Sequence, residues 1–438
     1  MRITGGNNEV DRFSDIVLLI VDCLRTDHLS RFGYEWETTP FLDSIEAFAF
    51  PQAVTTASWT YPAVSSILSG RYVHEHNAGF TGLERGWDEL HEGRVNPLPS
   101  DIDTLPEIFE RNGWTTFCHT AIKPVEMAVG DRYGTCTCIH HAKGAELVDE
   151  FLASWDEASG DTGRFAHVHF GDIHGWDSTH EDDGRPFASA TPFGEVGYLP
   201  EKDTVSWDNL RARNDYLAEY ERLYDTQLRY VDDQIRRLVE SLSDRGQFDD
   251  TLVVVLGDHG EAFGEHFKEV KQTTNPARTH PFGVSHGGNL FEEVLNVPLL
   301  ILGTGETEKI TRRVSIIDLF PTVLDWVELP IAPRQPGSGI SLRTETPDRR
   351  IYAGGIGDGY QQQVVYSGQY KLIKQFYNDE TLLYNLETDP DERQPIDDRD
   401  VSSSLEATLQ PNKEAETDLN ADISNDTRRQ LEDLGYRE

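Results

Sequence analysis

Short apolar runs that alternate with helical stretches are the feature of this sequence that most constrains its fold. The run DIVLLIVD (residues 15–22) is apolar between two carboxylates, as expected for a central parallel strand buried on both faces. Similar runs follow at residues 114–121, 164–170, 251–257 and 297–303. Residues 214–246 carry apolar side chains at spacings of three and four, which predicts a long amphipathic helix. The alternation predicts an α/β fold with a mostly parallel sheet covered by helices on both faces.

The pattern changes after about residue 330. Short strand-like segments separated by turns predict a small antiparallel sheet, at residues 350–356, 362–376 and 381–389. The last segment is polar and acidic, a composition typical of loosely ordered chain. We therefore expect an α/β domain over residues 1–335, a small C-terminal subdomain packed on it over 336–395, and an acidic, loosely ordered tail over 396–438.

The charge of the chain is strongly negative. Its 438 residues include 77 acidic and 39 basic side chains, for a formal net charge of −38. Nucleic acid and anionic membrane surfaces are therefore poor partners, because both need basic patches. Acidic residues along the whole sequence, with few lysines, are typical of a surface adapted to high salt. If such a protein binds a small anion, it needs a local cation, which points to a bound metal.

The sequence predicts no membrane insertion. No apolar stretch approaches the length that a bilayer span requires, and the start MRITGGNNEVDRF does not resemble a signal peptide. We therefore expect a cytoplasmic protein. The four cysteines form no disulfide framework, and the Cys136–Cys138 spacing does not fit a zinc knuckle, so they are interpreted as buried or loop thiols. The oligomeric state is left open.

Several predicted strands end in residues that can bind metals or transfer protons. The carboxyl ends of parallel strands meet at one edge of a sheet, where ligands bind. A single such aspartate can be explained as a helix cap, but their convergence predicts a divalent-cation site. His167 and His169, which alternate within one strand, are assigned to structure. The strand-end residues are Asp22, Asp172, His174, Asp258 and His259, with His286 just before the last strand.

Thr60 precedes a predicted helix in the stretch SWTYPAVSSILSG. A threonine there is a good N-cap, and Pro62 suits the first turn. Alternatively, its hydroxyl is a nucleophile at a helix N-terminus, where free N–H groups favour an anion. Both interpretations stay open at this point.

Four motifs together resemble the sulfatase family of the alkaline phosphatase superfamily. The motifs are VDCLRTDHL, TYPAVSSILSGRY, GDHGE and HGGNLFEEVLNVPLLI, at residues 21–29, 60–72, 257–261 and 286–301. The segments IDLFPTVLD and GQYKLI…LLYNLETDPDE also resemble parts of the family. The resemblance implies an alkaline-phosphatase-like three-layer sandwich and metal-dependent cleavage of a small anionic ester.

The resemblance also implies roles for individual residues. It places one divalent ion (Mn, Mg, Ca or Zn) on Asp22, Thr60, Asp258 and His259, and a second metal is not excluded. His174 corresponds to a histidine that contacts the transferred group. His286 falls where sulfatases more often have lysine. We expect one of the two histidines to protonate the leaving oxygen.

Thr60 departs from the family pattern. Sulfatases have cysteine or serine there, which is oxidised to formylglycine. Threonine cannot give that aldehyde. Because threonine has a single hydroxyl, a sulfo-threonine cannot release its sulfate by elimination. A phospho-threonine can be hydrolysed by water. The sequence therefore favours a phosphate mono- or diester, as in phosphodiesterases and phosphoglycerol transferases. The alternatives are a sulfuric ester hydrolase and a non-catalytic module that binds an anion.

Cys23 is a second departure, because many sulfatases have a metal-binding aspartate there. It is interpreted as a small buried thiol, with a thiolate ligand as the alternative. Arg25 and Lys123 are candidate contacts for the anionic substrate, and the alternative for both is a solvated cation or an ion pair. Aromatic residues between His174 and Trp207 are expected to line the alcohol pocket or to pack beneath it.

Overall fold

The structure is a computed structural model. The residues that it describes are 13–80, 84–85, 95–158, 162–174, 205–207, 209–273, 284–327, 329–344, 348–376 and 378–410.

Within these residues the chain forms strands and helices in alternation. The strands are β1 (Asp15–Val21), β2 (Ala47–Val54), β3 (Glu84–Arg85), β4 (Thr115–Thr120), β5 (Thr135–Cys138), β6 (Arg164–Phe170), β7 (Thr251–Gly257), β8 (Ala262–Phe263), β9 (Val284–Ser285), β10 (Asn296–Leu302), β11 (Glu308–Lys309), β12 (Val314–Ser315), β13 (Ile351–Ala353), β14 (Gly359–Tyr360), β15 (Gln362–Ser367), β16 (Tyr370–Gln375) and β17 (Glu380–Asn385). The helices are α1 (Pro40–Ser44), α2 (Thr60–Ser69), α3 (Val73–His76), α4 (Leu105–Arg111), α5 (Lys123–Val129), α6 (Gly144–Glu157), α7 (Leu210–Asp244), α8 (Phe267–Thr273), α9 (Glu292–Leu295), α10 (Leu319–Trp326) and α11 (Arg399–Glu406).

A nine-stranded sheet forms the centre of the molecule. Its order is β11-β2-β10-β7-β1-β6-β4-β5, and β12 also pairs with β2. The strands from β7 to β5 are parallel, whereas β10 is antiparallel to both of its neighbours. Because of this reversal, β10 starts at the edge where the parallel strands end. The chain that leads into β10, which includes His286, is thereby brought to the same edge as the ends of β1 and β7.

Helices cover both faces of the central sheet. The even-numbered residues of β1 belong to one apolar core, together with α2, α4, α5 and α10, and its odd-numbered apolar residues belong to a second core with α6 and α7. The predicted amphipathic helix is observed as α7, and the apolar stripe from Tyr216 to Leu242 is buried as expected. The predicted α/β class with a mostly parallel sheet is confirmed.

Strand β2 was not predicted from the sequence. It contains Pro51, and a proline within an apolar run argues against an interior strand because it removes a ladder N–H. In the structure the register between β2 and β10 is irregular between Val297 and Leu299, and Pro51 falls within this irregularity. A bulge thus accommodates a proline in a strand that has neighbours on both sides.

Strands β13, β15, β16 and β17 form the predicted small antiparallel sheet. Helix α11 packs on it, with Leu405 buried against Val365, Leu372 and Leu383. This helix lies inside the range expected to be a loose tail, and its apolar face explains why residues 399–406 pack. Residues 411–438 lie outside the described part of the chain, and the proposed domain boundaries remain predictions.

No helix in the described part of the chain is both long and apolar enough to cross a bilayer.

Candidate active site

Asp22 and Asp258 form the base of the candidate site. They follow β1 and β7, which pair in parallel up to Val21 and Gly257, so both side chains reach the same edge. Both are fully buried. The Asp22 backbone N–H donates to the Phe170 carbonyl at 3.0 Å, which extends the pairing of β1 with β6 by one residue. The structure therefore brings the two carboxylates together as the strand pattern predicts.

Thr60 is the first residue of α2, and its hydroxyl faces the aspartates. Its Oγ1 lies 3.4 Å from Asp22 Oδ2 and 3.3 Å from His259 Nε2. The N-cap position belongs to Trp59, which has extended backbone angles and makes no capping hydrogen bond with its side chain. The interpretation of Thr60 as an N-cap is therefore wrong. The hydroxyl instead points into a buried polar site at the start of a helix.

His259 completes this arrangement. Its Nδ1 donates to the Gly260 carbonyl at 2.9 Å, so Nε2 faces the carboxylates, 3.1 Å from Asp22 Oδ1 and 3.6 Å from Asp258 Oδ2. Burial opposes protonation, but Asp258 and Asp22 raise the pKa of His259 to about 10. The imidazolium thus supplies positive charge that a bound cation would otherwise provide.

His169, assigned to structure in the sequence analysis, faces the same carboxylates. Its Nε2 lies 3.7 Å from Asp258 Oδ2 and 4.0 Å from Asp22 Oδ2. Its neighbour His167 does have structural partners, since its Nδ1 lies 3.0 Å from the Tyr133 hydroxyl. The assignment of His169 to a purely structural role is therefore wrong. The residue lies one position before the end of β6, where its side chain reaches Asp22 and Asp258. We use the name strand-end cluster for Asp22, Thr60, His169, Asp258 and His259.

The strand-end cluster has the chemistry of a cation site. Asp258 Oδ2 and His169 Nε2 are buried and make no hydrogen bond with the residues that the structure describes. Burial and the neighbouring Asp22 raise the pKa of Asp258 to about 7, because two carboxylates without a cation between them repel each other. Burial also opposes ionisation of Asp22, but His174 and His259 lower its pKa below the usual range. Asp22, His169 and Asp258 offer ligand atoms within 4.8 Å of one another. The residues present fit a divalent cation.

His286 lies beside the cluster and is held by Glu261. The ring of His286 is 4.4 Å from the ring of His259 between centroids, and its Nδ1 lies 2.7 Å from Glu261 Oε2. Glu261 also accepts a hydrogen bond from the Tyr220 hydroxyl. The sequence analysis missed Glu261, although it belongs to the GDHGE motif two residues after His259. A carboxylate on Nδ1 fixes the orientation of the ring.

Cys23 also contacts this group. Its Sγ lies 3.4 Å from Asp22 Oδ1 and 3.4 Å from His286 Nδ1. Burial and the carboxylates of Asp22 and Glu261 raise the pKa of its thiol well above the usual range. Without a nearby cation, the thiol is therefore protonated.

His174 and Asp172 follow β6 but have different surroundings. The ring of His174 is 5.0 Å from that of His286 between centroids, and burial lowers its pKa despite the attraction of Asp22. Asp172 Oδ1 instead accepts the backbone N–H of Gly144, the first residue of α6, at 2.9 Å. Asp172 thus acts at a helix N-terminus, the ordinary role for a strand-terminal aspartate.

Arg25 and Lys123 were predicted to contact the anionic substrate, but carboxylates of the protein bind both side chains. Arg25 is buried and donates to Asp27 at 2.9 and 2.7 Å, to the Glu261 carbonyl at 2.8 Å and to the side chain of Glu265. Lys123 forms an ion pair with Glu126, one helical turn away in α5. These contacts match the ion-pair alternative and do not support a role for Arg25 in binding substrate.

The aromatic segment expected near the substrate lies mostly outside the described residues, which omit 175–204. Trp207 is described, and its ring packs on Tyr216 of α7 with centroids 5.2 Å apart. That contact belongs to the apolar core on the α7 face of the sheet.

Comparisons with known sequences identify the family. A sequence profile of the Sulfatase family matches residues 14–329. Human N-sulphoglucosamine sulphohydrolase is 25% identical over 317 residues, which cover 67% of this chain and 56% of the human protein. The chain therefore spans little more than half the length of that relative. An arylsulfatase of Clostridium perfringens is 23% identical, with 86% of this chain and 89% of that protein covered.

Solved structures show the same fold. A phosphonate monoester hydrolase of Agrobacterium radiobacter has a TM-score of 0.65 and 18% identity over 90% of this chain and 94% of that one. The structure of BT4656 in complex with D-glucosamine-2-N,6-O-disulfate has a TM-score of 0.67 and 14% identity over 97% and 98%. These similarities confirm the predicted alkaline-phosphatase-like fold. The profile match over most of the chain shows that this protein belongs to the Sulfatase family, within the alkaline phosphatase superfamily.

Proposed function

We propose that this protein is a metal-dependent ester hydrolase that uses Thr60 as a nucleophile on a phosphate mono- or diester. The observation that carries the proposal is the position of Thr60 Oγ1, buried at the start of α2, 3.4 Å from Asp22 Oδ2 and 3.3 Å from His259 Nε2. A hydroxyl between a carboxylate and an imidazole, at a helix N-terminus, is placed to react with an anionic group.

The proposed cation site consists of Asp22, Thr60, Asp258 and His259, with His169 facing the same carboxylates. When bound, a divalent ion would lower the pKa of the Thr60 hydroxyl and offset negative charge on the transferred group. Asp172 binds the N-terminus of α6, so its contacts favour one cation over a second site that includes this residue.

The residues of the chain have separate roles in the proposed reaction. Thr60 Oγ1 loses its proton to solvent and forms a bond to phosphorus while the bond from phosphorus to the leaving alcohol oxygen breaks. His286, oriented by Glu261, or its neighbour His174 donates a proton to that oxygen. Backbone N–H groups in the first turn of α2 bind the equatorial oxygens. Water then attacks phosphorus and gives a proton back to the same histidine, and Thr60 Oγ1 takes a proton from solvent as phosphate, or a phosphate monoester, leaves. In a transferase, an acceptor alcohol would replace this water.

The methyl group of Thr60 supports phosphorus over sulfur. A threonine side chain cannot become the hydrated aldehyde that releases sulfate by elimination, whereas water can hydrolyse a phospho-threonine. A second candidate function is sulfate ester hydrolysis, which the names of the curated relatives favour. The third, anion binding without turnover, is disfavoured by the complete set of candidate ligands around Thr60. The cytoplasmic location and the adaptation to high salt remain predictions from sequence.

The proposal is tested by comparing Thr60→Ala with Thr60→Ser and with Ser58→Ala as a matched control. Ser58 is a nearby buried residue whose hydroxyl donates to the Gly355 carbonyl at 3.0 Å. We expect Thr60→Ala to lower kcat/KM by at least about 1,000-fold. Its free energy of unfolding should fall by only about 1 kcal/mol, because the hydroxyl caps no helix. Thr60→Ser should keep measurable activity, and Ser58→Ala should be close to wild type.

The substrate class is tested with aryl esters that share one leaving group. Phosphate monoesters, phosphodiesters, phosphonate monoesters and sulfate esters are assayed with Mn²⁺, Mg²⁺, Ca²⁺ and Zn²⁺. We expect the highest kcat/KM on a phosphate ester. Turnover of the sulfate ester alone would establish the second candidate. Cation and anion binding without turnover of any ester would establish the third. Full activity of Thr60→Ala would exclude Thr60 as the nucleophile.

A further inference from the structure

We propose that the Cys23 thiol is a ligand of the cation at the strand-end cluster, and that this sulfur makes the site select zinc-like transition metals over Ca²⁺ and Mg²⁺. The inference rests on the proposed function, because it requires the same cation. It departs from the sequence-based interpretation of Cys23 as a simple buried thiol.

The distances around Asp22 Oδ1 are those of neighbouring ligand atoms. Cys23 Sγ lies 3.4 Å from this oxygen, and His259 Nε2 lies 3.1 Å from it. In a tetrahedral zinc site, metal bonds of about 2.3 Å to sulfur and 2.0–2.2 Å to nitrogen or oxygen place adjacent ligand atoms about 3.3–3.7 Å apart. Cys23, His259 and His286 also offer ligand atoms that lie within 4.8 Å of one another. Sulfur, oxygen and nitrogen thus lie close to the spacing of one coordination sphere.

The backbone at Cys23 is held in a conformation that directs the side chain to this position. Its φ is 63°, a left-handed value that non-glycine residues seldom adopt. The Tyr224 hydroxyl donates to the Cys23 carbonyl at 2.8 Å and accepts the Arg25 N–H at 2.9 Å, so α7 holds both sides of the turn. Unfavourable backbone conformations that the surrounding structure enforces are found mainly at functional sites.

The other groups around the site point to the same class of metal. Besides the two carboxylates, the candidate ligand atoms are the imidazole nitrogens of His169 and His259 and the thiol sulfur of Cys23. Ca²⁺ and Mg²⁺ prefer oxygen ligands, whereas imidazole and thiolate favour Zn²⁺ and Co²⁺. On binding, a metal–sulfur bond replaces the S–H bond, and the proton passes to solvent.

The experiment uses Co²⁺ as a spectroscopic substitute for zinc. The full-length protein is freed of metal with a chelator and titrated with Co²⁺, and its ultraviolet and visible spectra are recorded. We expect visible d–d bands together with a near-ultraviolet thiolate-to-Co²⁺ charge-transfer band. Cys23→Ser should lose the charge-transfer band and keep d–d bands. The matched control is Cys118→Ser, because Cys118 is also a buried thiol beside a histidine, 3.5 Å from His167 Nδ1, and should keep both bands.

The outcomes separate this inference from the proposed function. Visible bands without a charge-transfer band, or a charge-transfer band that persists in Cys23→Ser, would overturn the role of Cys23 and leave the proposed cation site intact. Absence of Co²⁺ binding by wild type would overturn both. Circular dichroism of each variant verifies that it is folded.

A second variant tests selectivity. Cys23→Asp replaces sulfur by oxygen, so we expect the ratio of Ca²⁺ to Zn²⁺ affinity, measured by calorimetric titration, to rise at least about tenfold. An unchanged ratio would contradict selection of the metal by Cys23.

Discussion

This protein has two buried clusters of charged residues, and the groups that face the carboxylates differ between them. In the strand-end cluster, Asp22 and Asp258 face His169 and His259. In the small C-terminal sheet, the fully buried Lys371 Nζ lies between two carboxylates. We use the name Lys371 cluster for Lys371, Glu292, Glu392 and Tyr366. The Lys371 nitrogen is 2.9 Å from Glu292 Oε1 and 2.7 Å from Glu392 Oε1.

The difference supports a structural role for the Lys371 cluster and the proposed cation site at the strand-end cluster. In the Lys371 cluster the protein provides the compensating cation, and the Tyr366 hydroxyl adds a hydrogen bond to Glu292 Oε1 at 2.6 Å. Within the part of the chain that the structure describes, only histidines form ion pairs with Asp22 and Asp258. Buried acids without a lysine or arginine partner are expected where an external cation binds.

The largest expected effect is on activity at the strand-end cluster. Asp258→Asn removes one candidate ligand charge, so kcat/KM should fall by at least about 1,000-fold, or roughly 4 kcal/mol of transition-state stabilisation. The same change relieves repulsion between two buried carboxylates, so the metal-free variant should be at least as stable as the metal-free wild type. Steady-state kinetics and urea denaturation measure the two effects. A variant with activity within tenfold of wild type would contradict the proposed site.

The next effect is on stability at the Lys371 cluster. Lys371→Met leaves the buried Glu392 and Glu292, whose side chain is 17% exposed, without their cation, so the free energy of unfolding should fall by about 3–5 kcal/mol. The matched control is Lys374→Met on the same strand, because one partner of Lys374, Asp379, is 92% exposed and exposed ion pairs contribute little to stability. Urea denaturation of both variants tests the comparison. Equal losses of unfolding free energy in the two variants would show that burial of the Lys371 cluster does not determine its contribution to stability.

Removal of metal should have a smaller effect, confined to the strand-end cluster. A cation present at 100 times its Kd should stabilise the folded protein by about 2.7 kcal/mol, which a chelator should remove. Thermal unfolding with and without chelator should show this shift for wild type and for Lys374→Met. It should be absent for Asp258→Asn. A chelator shift of the same size in Asp258→Asn would place the cation elsewhere.

The sequence was sufficient to predict the parallel strands, α7 and the meeting of Asp22, Asp258 and His259, because these follow from apolar periodicity and from strand direction. The sequence was not sufficient to predict that β10 runs antiparallel to its neighbours, since an apolar run has the same pattern in either direction. It also gave no sign that a bulge would admit Pro51 into β2.

The errors at the site have a common physical cause. His167 and His169 have the same spacing pattern, and only their depth along β6 separates a core histidine from one that faces Asp258. Arg25 resembles a substrate cation until its partner Glu265, 240 positions away in sequence, is seen beside it. Contacts between segments that are distant in sequence determine the surroundings of both His169 and Arg25. The periodicity of the sequence carries no information about such contacts.

The central claim is that Thr60 Oγ1 attacks the substrate. The most direct measurement is rapid acid quenching during turnover of a phosphate ester, followed by mass spectrometry of the peptide that contains Thr60. We expect phosphate on Thr60 during the steady state and no phosphorylated peptide from Thr60→Ala. Sustained turnover with no modification of Thr60, or with the phosphate on another residue, would contradict this account.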